Sequence, residues 1–193
     1  MKNIILETWQ FLCSGFFSAL LGAFSAFLGV IIGIKSSNKS KLIDDICRKI
    51  RILHSMHDEF KFLLERYKNV YGNIIKNSKE YEPIAQFSVS KEDYFIVYLN
   101  NSEIIGDIKS ERTREAIIRS YILSKAIMEE FEINNSIYDN LEKTENKNDI
   151  LRQLFDYKSV IFEDNNKIID YGEISINGLN DEILILRKKK KNI

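Results

Sequence analysis

The stretch FLCSGFFSALLGAFSAFLGVIIGI, residues 11–34, decides the fold class of this chain. It carries no charged residue, and a helix of about 20 apolar residues spans the hydrocarbon core of a bilayer. Trp9 precedes it, where an amphipathic ring prefers the headgroup level. The stretch therefore predicts a transmembrane helix. A cleaved signal peptide is the main alternative, but the apolar run continues past the small residues at 23–25 that would mark a cleavage site.

Basic residues flank this stretch unequally. Lys2 alone precedes it, whereas six Lys and Arg residues lie between positions 35 and 51. Since loops rich in Lys and Arg stay in the cytoplasm, segment 1–10 is predicted outside and the C-terminal side inside. We therefore expect a single-pass inner-membrane protein with a cytoplasmic C-terminal domain. The lipid bilayer is its first predicted partner.

Small residues recur along one face of the predicted span. Their spacing alternates between four and three, and we call them the small-residue seam: Gly15, Ala19, Gly22, Ala26, Gly29 and Gly33. Small residues let membrane helices approach closely, so the seam predicts a homo-oligomer. The alternative is that Gly and Ala are simply common in membrane helices. Because the seam has no charged or strongly polar residue, it does not indicate a selective ion channel.

A long amphipathic helix is predicted over residues 39–77. The polar stretch Ser36–Ser40 separates this helix from the span. It is either a break or part of one continuous helix that crosses the headgroup region. Apolar residues, with one histidine, follow at spacings of three and four, which predicts packing in a bundle with some coiled-coil character. The predicted buried positions are Ile43, Ile46, Ile50, Leu53, His57, Phe60, Leu64, Tyr67, Tyr71 and Ile74.

The remaining chain is predicted to be mainly helical, because it has one proline and few glycines. A connector is expected at 77–92, with helices at 111–141, N-capped by Ser110, and at 149–170. Segments 94–99 and 173–186 remain open between helix and a small β element. The predicted core residues of the two helices are Ile117, Ile118, Tyr121, Ile122, Met128, Phe131, Tyr138, Leu151, Leu154, Phe155, Val160, Ile161, Ile168 and Ile169.

The fold class is thus mainly α, with one N-terminal transmembrane helix, a long amphipathic helix and a cytosolic helical bundle. We divide the chain into an external N-terminus, the span, a basic juxtamembrane helix, an acidic cytosolic domain and a basic tail, at 1–10, 11–34, 35–78, 79–186 and 187–193.

Charge alternates along the chain although its formal net charge is zero. The neutral balance argues against nucleic acid as a partner. Segment 35–78 is net basic, 79–186 is net acidic, and the tail is wholly basic. The residues predicted to face lipid headgroups or other anions are Lys35, Lys39, Lys41, Arg187, Lys188, Lys189, Lys190 and Lys191. Alternatively, the tail folds onto the acidic domain, binds a phosphate-rich ligand or is merely solvated.

Residue patterns for catalysis are scarce. His54 and His57 share one helical face, but a metal site is disfavoured because no second ligand cluster with metal-site spacing accompanies them. The adjacent acids Glu129 and Glu130 are predicted to lie on a solvated helix face. No phosphate-binding glycine loop or nucleophile-elbow motif occurs in the sequence. We therefore predict no enzymatic activity, no cofactor and no metal.

Segment 94–131 resembles a pattern in uncharacterised bacterial and prophage single-pass membrane proteins. These have an N-terminal span, a basic helix, an aromatic-Asn segment ending near a glycine, and a helix with a central aromatic residue. The matching positions here are Tyr98, Asn100, Ile105, Gly106 and Tyr121. The resemblance implies no activity, but some proteins of this layout look like membrane effectors of anti-phage systems.

Two functions fit these patterns. In the first, the cytosolic domain senses a ligand or partner, and the span oligomerises and perturbs the membrane in an anti-phage or stress response. In the second, the span tethers an adaptor that docks a cytosolic protein.

Overall fold

The computed structural model describes residues 2–78, 82–84, 94–141 and 143–193, with side chains except at 2–6, 11–14, 16 and 17. These residues form helices and turns with no strand among them, so the mainly α prediction is confirmed. Most of the connector predicted at 77–92 lies outside the described residues. The elements are α1 Lys2–Tyr67, a π-helical turn Lys68–Gly72, α2 Asn73–Asn77, α3 Ile96–Asn100, a 3₁₀ turn Ser102–Asp107, α4 Glu111–Leu141 and α5 Lys147–Lys191.

The chain divides into two compact units, Met1–Cys47 with Ile193, and Arg48–Asn192. In the first unit, helix α1 includes the polar stretch Ser36–Ser40 without a break. By length and composition α1 is able to cross a membrane, and none of its most apolar 18-residue window is buried. The coarser prediction of one apolar helix long enough to span is therefore confirmed.

The second unit is a bundle of three long helical segments. Helix α5 runs antiparallel to α1, since Leu64 meets Gly172 and His54 meets Arg187 near the other end. It is also antiparallel to α4, because Thr113, at the start of α4, lies against Gly178. The buried side chains form two clusters. The first contains Leu53, Met56, Phe60, Phe95, Tyr98, Ile104, Ile105, Ile108, Ile117, Leu179 and Ile183. The second contains Tyr67, Tyr71, Ile75, Ile84, Ile127, Phe131, Ile161 and Ile168.

The π-helical turn Lys68–Gly72 shifts the buried face of the amphipathic helix. A π turn bonds each residue to one five positions away, so it advances the face by one residue. Tyr67 and Tyr71 are buried as predicted, but the next buried residue is Ile75 rather than Ile74. Sequence spacing assumes a regular helix and therefore misses this displacement.

Helix α4 has the predicted bounds, Glu111–Leu141. The Ser110 hydroxyl caps it by accepting the Thr113 N–H at 3.2 Å, which satisfies a donor that the first turn leaves free. Ile117 and Phe131 are fully buried as expected. Their apolar neighbours behave differently, since Ile118 and Ile122 are exposed. The reason is that the buried face instead takes polar and small residues, Thr113, Ala116, Ser120 and Asn134.

Helix α5 runs without a break from Lys147 to Lys191. It includes residues 173–186, which the sequence left open between helix and a small β element, and Arg187–Lys191 of the predicted basic tail. The predicted helix end at residue 170 is therefore wrong.

Val160, predicted to be buried, is 45% exposed because the inward face of α5 passes through Lys158 and Ile161.

Segment 94–99 resolves as the short helix α3 rather than a strand. Both oxygens of the Glu59 carboxylate accept backbone N–H groups at its start, from Val97 at 2.8 Å and from Tyr98 at 3.0 Å. Phe95, the residue before the helix, has a φ of 68°, a left-handed conformation that is rare for an aromatic residue. Burial of its ring against Phe60, with centroids 5.1 Å apart, holds this bend.

Candidate functional site

The small-residue seam lies on an exposed helix face. All six of its residues are solvent-exposed. The seam has four glycines, Gly15, Gly22, Gly29 and Gly33. A Cβ atom added at any of them would meet no other atom within 4 Å. The backbone along this face is therefore accessible to the close approach that small residues permit.

A cavity of about 260 Å³ lies between α1, α4 and α5 in the second unit. Its apolar wall consists of Phe60, Leu63, Leu64, Tyr67, Tyr71, Tyr94, Phe95, Met128, Ile168 and Gly172. The polar and charged residues around it are Ser120, Ser124, Arg66, Lys125, Glu129 and Glu132. Because its walls include members of both buried clusters, the cavity interrupts the core where those clusters meet.

Aromatic rings in the cavity wall contact other rings in two separate groups. Phe95 meets Tyr121 edge to face at 5.6 Å, and Tyr98 lies 4.7 Å from the same ring. On the other side, Tyr67 and Tyr71 are 5.9 Å apart. Such pairs add about 0.5–1.5 kcal/mol each beyond their buried area. These contacts make the cavity wall a fixed surface rather than a loose gap.

Charges of both signs surround the mouth of the cavity. The Arg66 guanidinium lies 5.7 Å from the Tyr94 ring centre, and the Lys125 ammonium lies 5.1 Å from that of Tyr121. Glu129 and Glu132 are on the same helix as Lys125, and their side chains are exposed. The mouth therefore has two cations and two carboxylates.

Glu130 and Asp164 form a carboxyl pair between α4 and α5. Burial, followed by the Asp164 charge and hydrogen bond, raises the pKa of Glu130 to about 7. Lys167 donates to Asp164 at 2.9 Å, so that carboxylate has a cation of its own. The buried Tyr67 hydroxyl donates to Asn165 at 3.0 Å, and burial together with the Glu130 charge raises the pKa of Tyr67.

The prediction that Glu130 is a solvated acid is therefore wrong, whereas Glu129 is exposed as expected. The position of Glu130 has a signal in the sequence. It lies between Ile127 and Asn134 on the face that α4 buries, at spacings of three and four. Two adjacent acids on a helix point in directions about 100° apart, so one of them faces inward here.

We expect Glu130→Gln to stabilise the bundle at alkaline pH and not at acidic pH. The folded pKa of about 7 exceeds the ordinary value of 4.5, so folding binds a proton between these pH values. The free energy of unfolding of the parent therefore falls as pH rises from about 4.5 to 7. Because the side chain is partly exposed, solvent screening reduces the expected gain for the Gln variant to about 1–2 kcal/mol at pH 8.

Urea unfolding at pH 5 and pH 8 measures this difference. Glu129→Gln is the matched control, since a surface substitution changes stability by under about 0.5 kcal/mol. An equal effect of Glu130→Gln at both pH values would contradict the raised pKa of Glu130.

The two histidines do not form a common site. His54 Nε2 lies 2.7 Å from the Arg187 guanidinium, and since arginine only donates, this nitrogen is the acceptor. His57 is half-buried and its Nδ1 lies 3.0 Å from Asp58. Within the described part of the chain, no group of three or more His, Cys, Asp or Glu side chains is arranged for a metal ion.

The basic residues predicted to face anions are exposed. Lys35, Lys39 and Lys41 lie on α1 in the first unit. Lys188–Lys191 form the last turn of α5, where cations favourably oppose the negative end of the helix dipole. The prediction that these residues bind lipid or other anions remains a prediction.

Comparisons of the chain with protein-family models, with curated proteins and with solved structures find no match. The resemblance to bacterial and prophage membrane proteins therefore remains a prediction. Three of its five positions, Tyr98, Ile105 and Tyr121, lie at the first buried cluster. Asn100 and Gly106 are exposed.

Proposed function

We propose that the protein is a single-pass inner-membrane protein that self-associates through its small-residue seam and presents a cytoplasmic helical sensing domain. The observation that supports this proposal is the open space along the seam of an unburied apolar helix. Lipid tails do not drive membrane helices together, so close backbone packing is the main source of their association. In the effector version of the proposal, assembly of the span perturbs the membrane in an anti-phage or stress response.

We expect Gly22→Ile to abolish self-association of the full chain. A branched side chain in the middle of the seam holds two backbones apart by the width of the added atoms. Energy transfer between two fluorescent fusions in bacterial membranes measures the loss. Two matched controls place isoleucine on the other side of the helix, Leu20→Ile and Leu21→Ile, and both should associate like the parent chain.

Membrane potential tests the effector version. A voltage-sensitive dye should report depolarisation on expression of the parent chain and not of Gly22→Ile. If both chains depolarise cells equally, span assembly has no part in the effect. Energy transfer that persists in Gly22→Ile would overturn the seam itself.

A second function, an anchored adaptor, is favoured by a pair of exposed isoleucines on α4. Ile118 and Ile122 lie one helical turn apart and are 42% and 56% exposed. Cross-linking of the full chain in membranes, followed by the same experiment with Ile118→Ser and Ile122→Ser, tests this function. The adaptor function requires a cross-linked protein that these changes remove, and that Gly22→Ile leaves in place.

A further inference from the structure

The cavity between the two buried clusters has the size of a small-ligand site. A single water needs only about 10–15 Å³, so a space of about 260 Å³ is far more than a structural water requires. Small-molecule sites usually measure about 300–1,000 Å³. The cavity lies just below that range and therefore suits a small ligand, with one ring or two fused rings.

The walls favour a flat aromatic body in such a ligand. Five aromatic side chains line the cavity, among them Tyr67 and Phe95, and Met128 adds a polarisable thioether. Aromatic rings attract further rings in edge-to-face and offset geometries, and sulfur contacts ring edges favourably. An aliphatic ligand would gain only burial from the same surface.

The mouth of the cavity determines the charge of the ligand. Arg66 and Lys125 would attract a carboxylate, but Glu129 and Glu132 would repel the same group. A purely cationic ligand would be attracted by Glu129 and Glu132 but repelled by Arg66 and Lys125. In addition, Arg66 already lies over the Tyr94 ring, where such a cation would bind. A molecule with both signs avoids both conflicts, since its carboxylate pairs with a cation of the mouth and its ammonium group with a carboxylate.

We propose that this cavity binds a small aromatic zwitterion of the class of free aromatic α-amino acids. The ring enters the cavity between α1 and α4. The ammonium group faces Glu129 and Glu132, and the carboxylate faces Arg66 and Lys125. The role of this ligand as the signal for the sensing domain rests on the proposed function. Its binding depends only on the cavity and its mouth.

Calorimetric titration of the full chain in lipid nanodiscs tests the proposal with L-tryptophan as the probe. Tryptamine lacks the carboxylate and indole-3-propionate lacks the ammonium group, so each removes one of the two charges. We expect L-tryptophan to bind about tenfold more tightly than either, because each loses charge-assisted hydrogen bonds. L-phenylalanine is titrated as a second aromatic amino acid. Equal affinities for the three indole compounds, or no binding of either amino acid, would overturn the proposal.

Charge variants locate the site. Arg66 and Glu129 are exposed, so Arg66→Gln and Glu129→Gln leave the core intact and should each weaken tryptophan binding about tenfold. Lys61→Gln is the matched control, because Lys61 is an exposed cation on the same helix outside the cavity. Undiminished binding in both rim variants would place the ligand elsewhere and refute the assignment.

The seam variant separates this proposal from the proposed function. Gly22→Ile should bind tryptophan with the parental affinity, since Gly22 belongs to the first unit and the cavity to the second. Failure of tryptophan to bind, with self-association intact, removes only the ligand. Loss of seam-dependent association, with tryptophan still bound, removes only the membrane assembly.

Discussion

Phe131→Ala should lower the free energy of unfolding of the bundle by about 4 kcal/mol, because truncation of a fully buried aromatic ring leaves a cavity. Phe131 has no exposed surface and stacks on Tyr71, with ring centres 5.3 Å apart and planes 23° apart. The space left by the ring would adjoin the existing cavity, which Tyr71 also lines, and would enlarge the void in the core.

Tyrosine signals make this loss measurable in the full chain. All nine tyrosines lie between positions 67 and 171, whereas the single tryptophan is Trp9. Near-ultraviolet circular dichroism of the tyrosines, followed during urea unfolding in detergent, therefore reports on the bundle. Trp9 fluorescence reports separately on the N-terminal helix and should be unchanged by Phe131→Ala.

Ile133→Ala is the matched control for Phe131→Ala. Ile133 is on the same helix two residues away, and it is 42% exposed. Its truncation should cost less than about 1 kcal/mol, because a large part of the Ile133 side chain is already in contact with solvent. Similar losses for the two variants would mean that the buried face of α4 is misassigned.

Gly178→Ala is the second large effect, with an expected loss of about 2–3 kcal/mol. An alanine Cβ at this position would lie within 3.0 Å of Oγ1, Cγ2 and Cβ of Thr113, closer than real Cβ atoms approach. Thr113 is 4% exposed and has no free space to move into. Alanine ordinarily stabilises a helix interior by about 1 kcal/mol over glycine. Overpacking of this severity costs about 3 kcal/mol or more, so the clash prevails.

Urea unfolding compares Gly178→Ala with Gly106→Ala, the same substitution at a glycine where an added Cβ would meet nothing within 4 Å. The Gly106 variant should be within about 0.5 kcal/mol of the parent chain. Adding Thr113→Ala to Gly178→Ala removes the two closest contacts and should recover part of the loss. A Gly178 variant as stable as the parent would show that α4 and α5 do not approach so closely.

Local patterns predict the parts of this fold that depend on local interactions. Helix α4 needs only its Ser110 cap and an uninterrupted helical segment, and its bounds follow from the sequence. Helix α5 passes through Gly178, which looks like a turn until Thr113 of another helix explains why no larger residue fits. Such a long-range contact leaves no mark in the local sequence.

The candidate sites divide in the same way. The seam is a periodic pattern within one helix, so the sequence alone defines its residues. The cavity draws on α1, α4, α5 and the turn before α3, and no spacing rule joins Arg66 to Glu129. Glu130 lies between these cases, since helical spacing places it on the buried face but its partner Asp164 comes from α5.

The antiparallel packing of α5 on α1 has a consequence for synthesis of the protein. Leu53 shares a buried cluster with Leu179 and Ile183, which the ribosome adds about 130 residues later, or roughly 6–25 s at about 5–20 residues per second. Throughout that interval the apolar side of α1 beyond Arg48 has no α5 to cover it. During synthesis, that side therefore needs a chaperone or another apolar surface to shield it until α5 emerges.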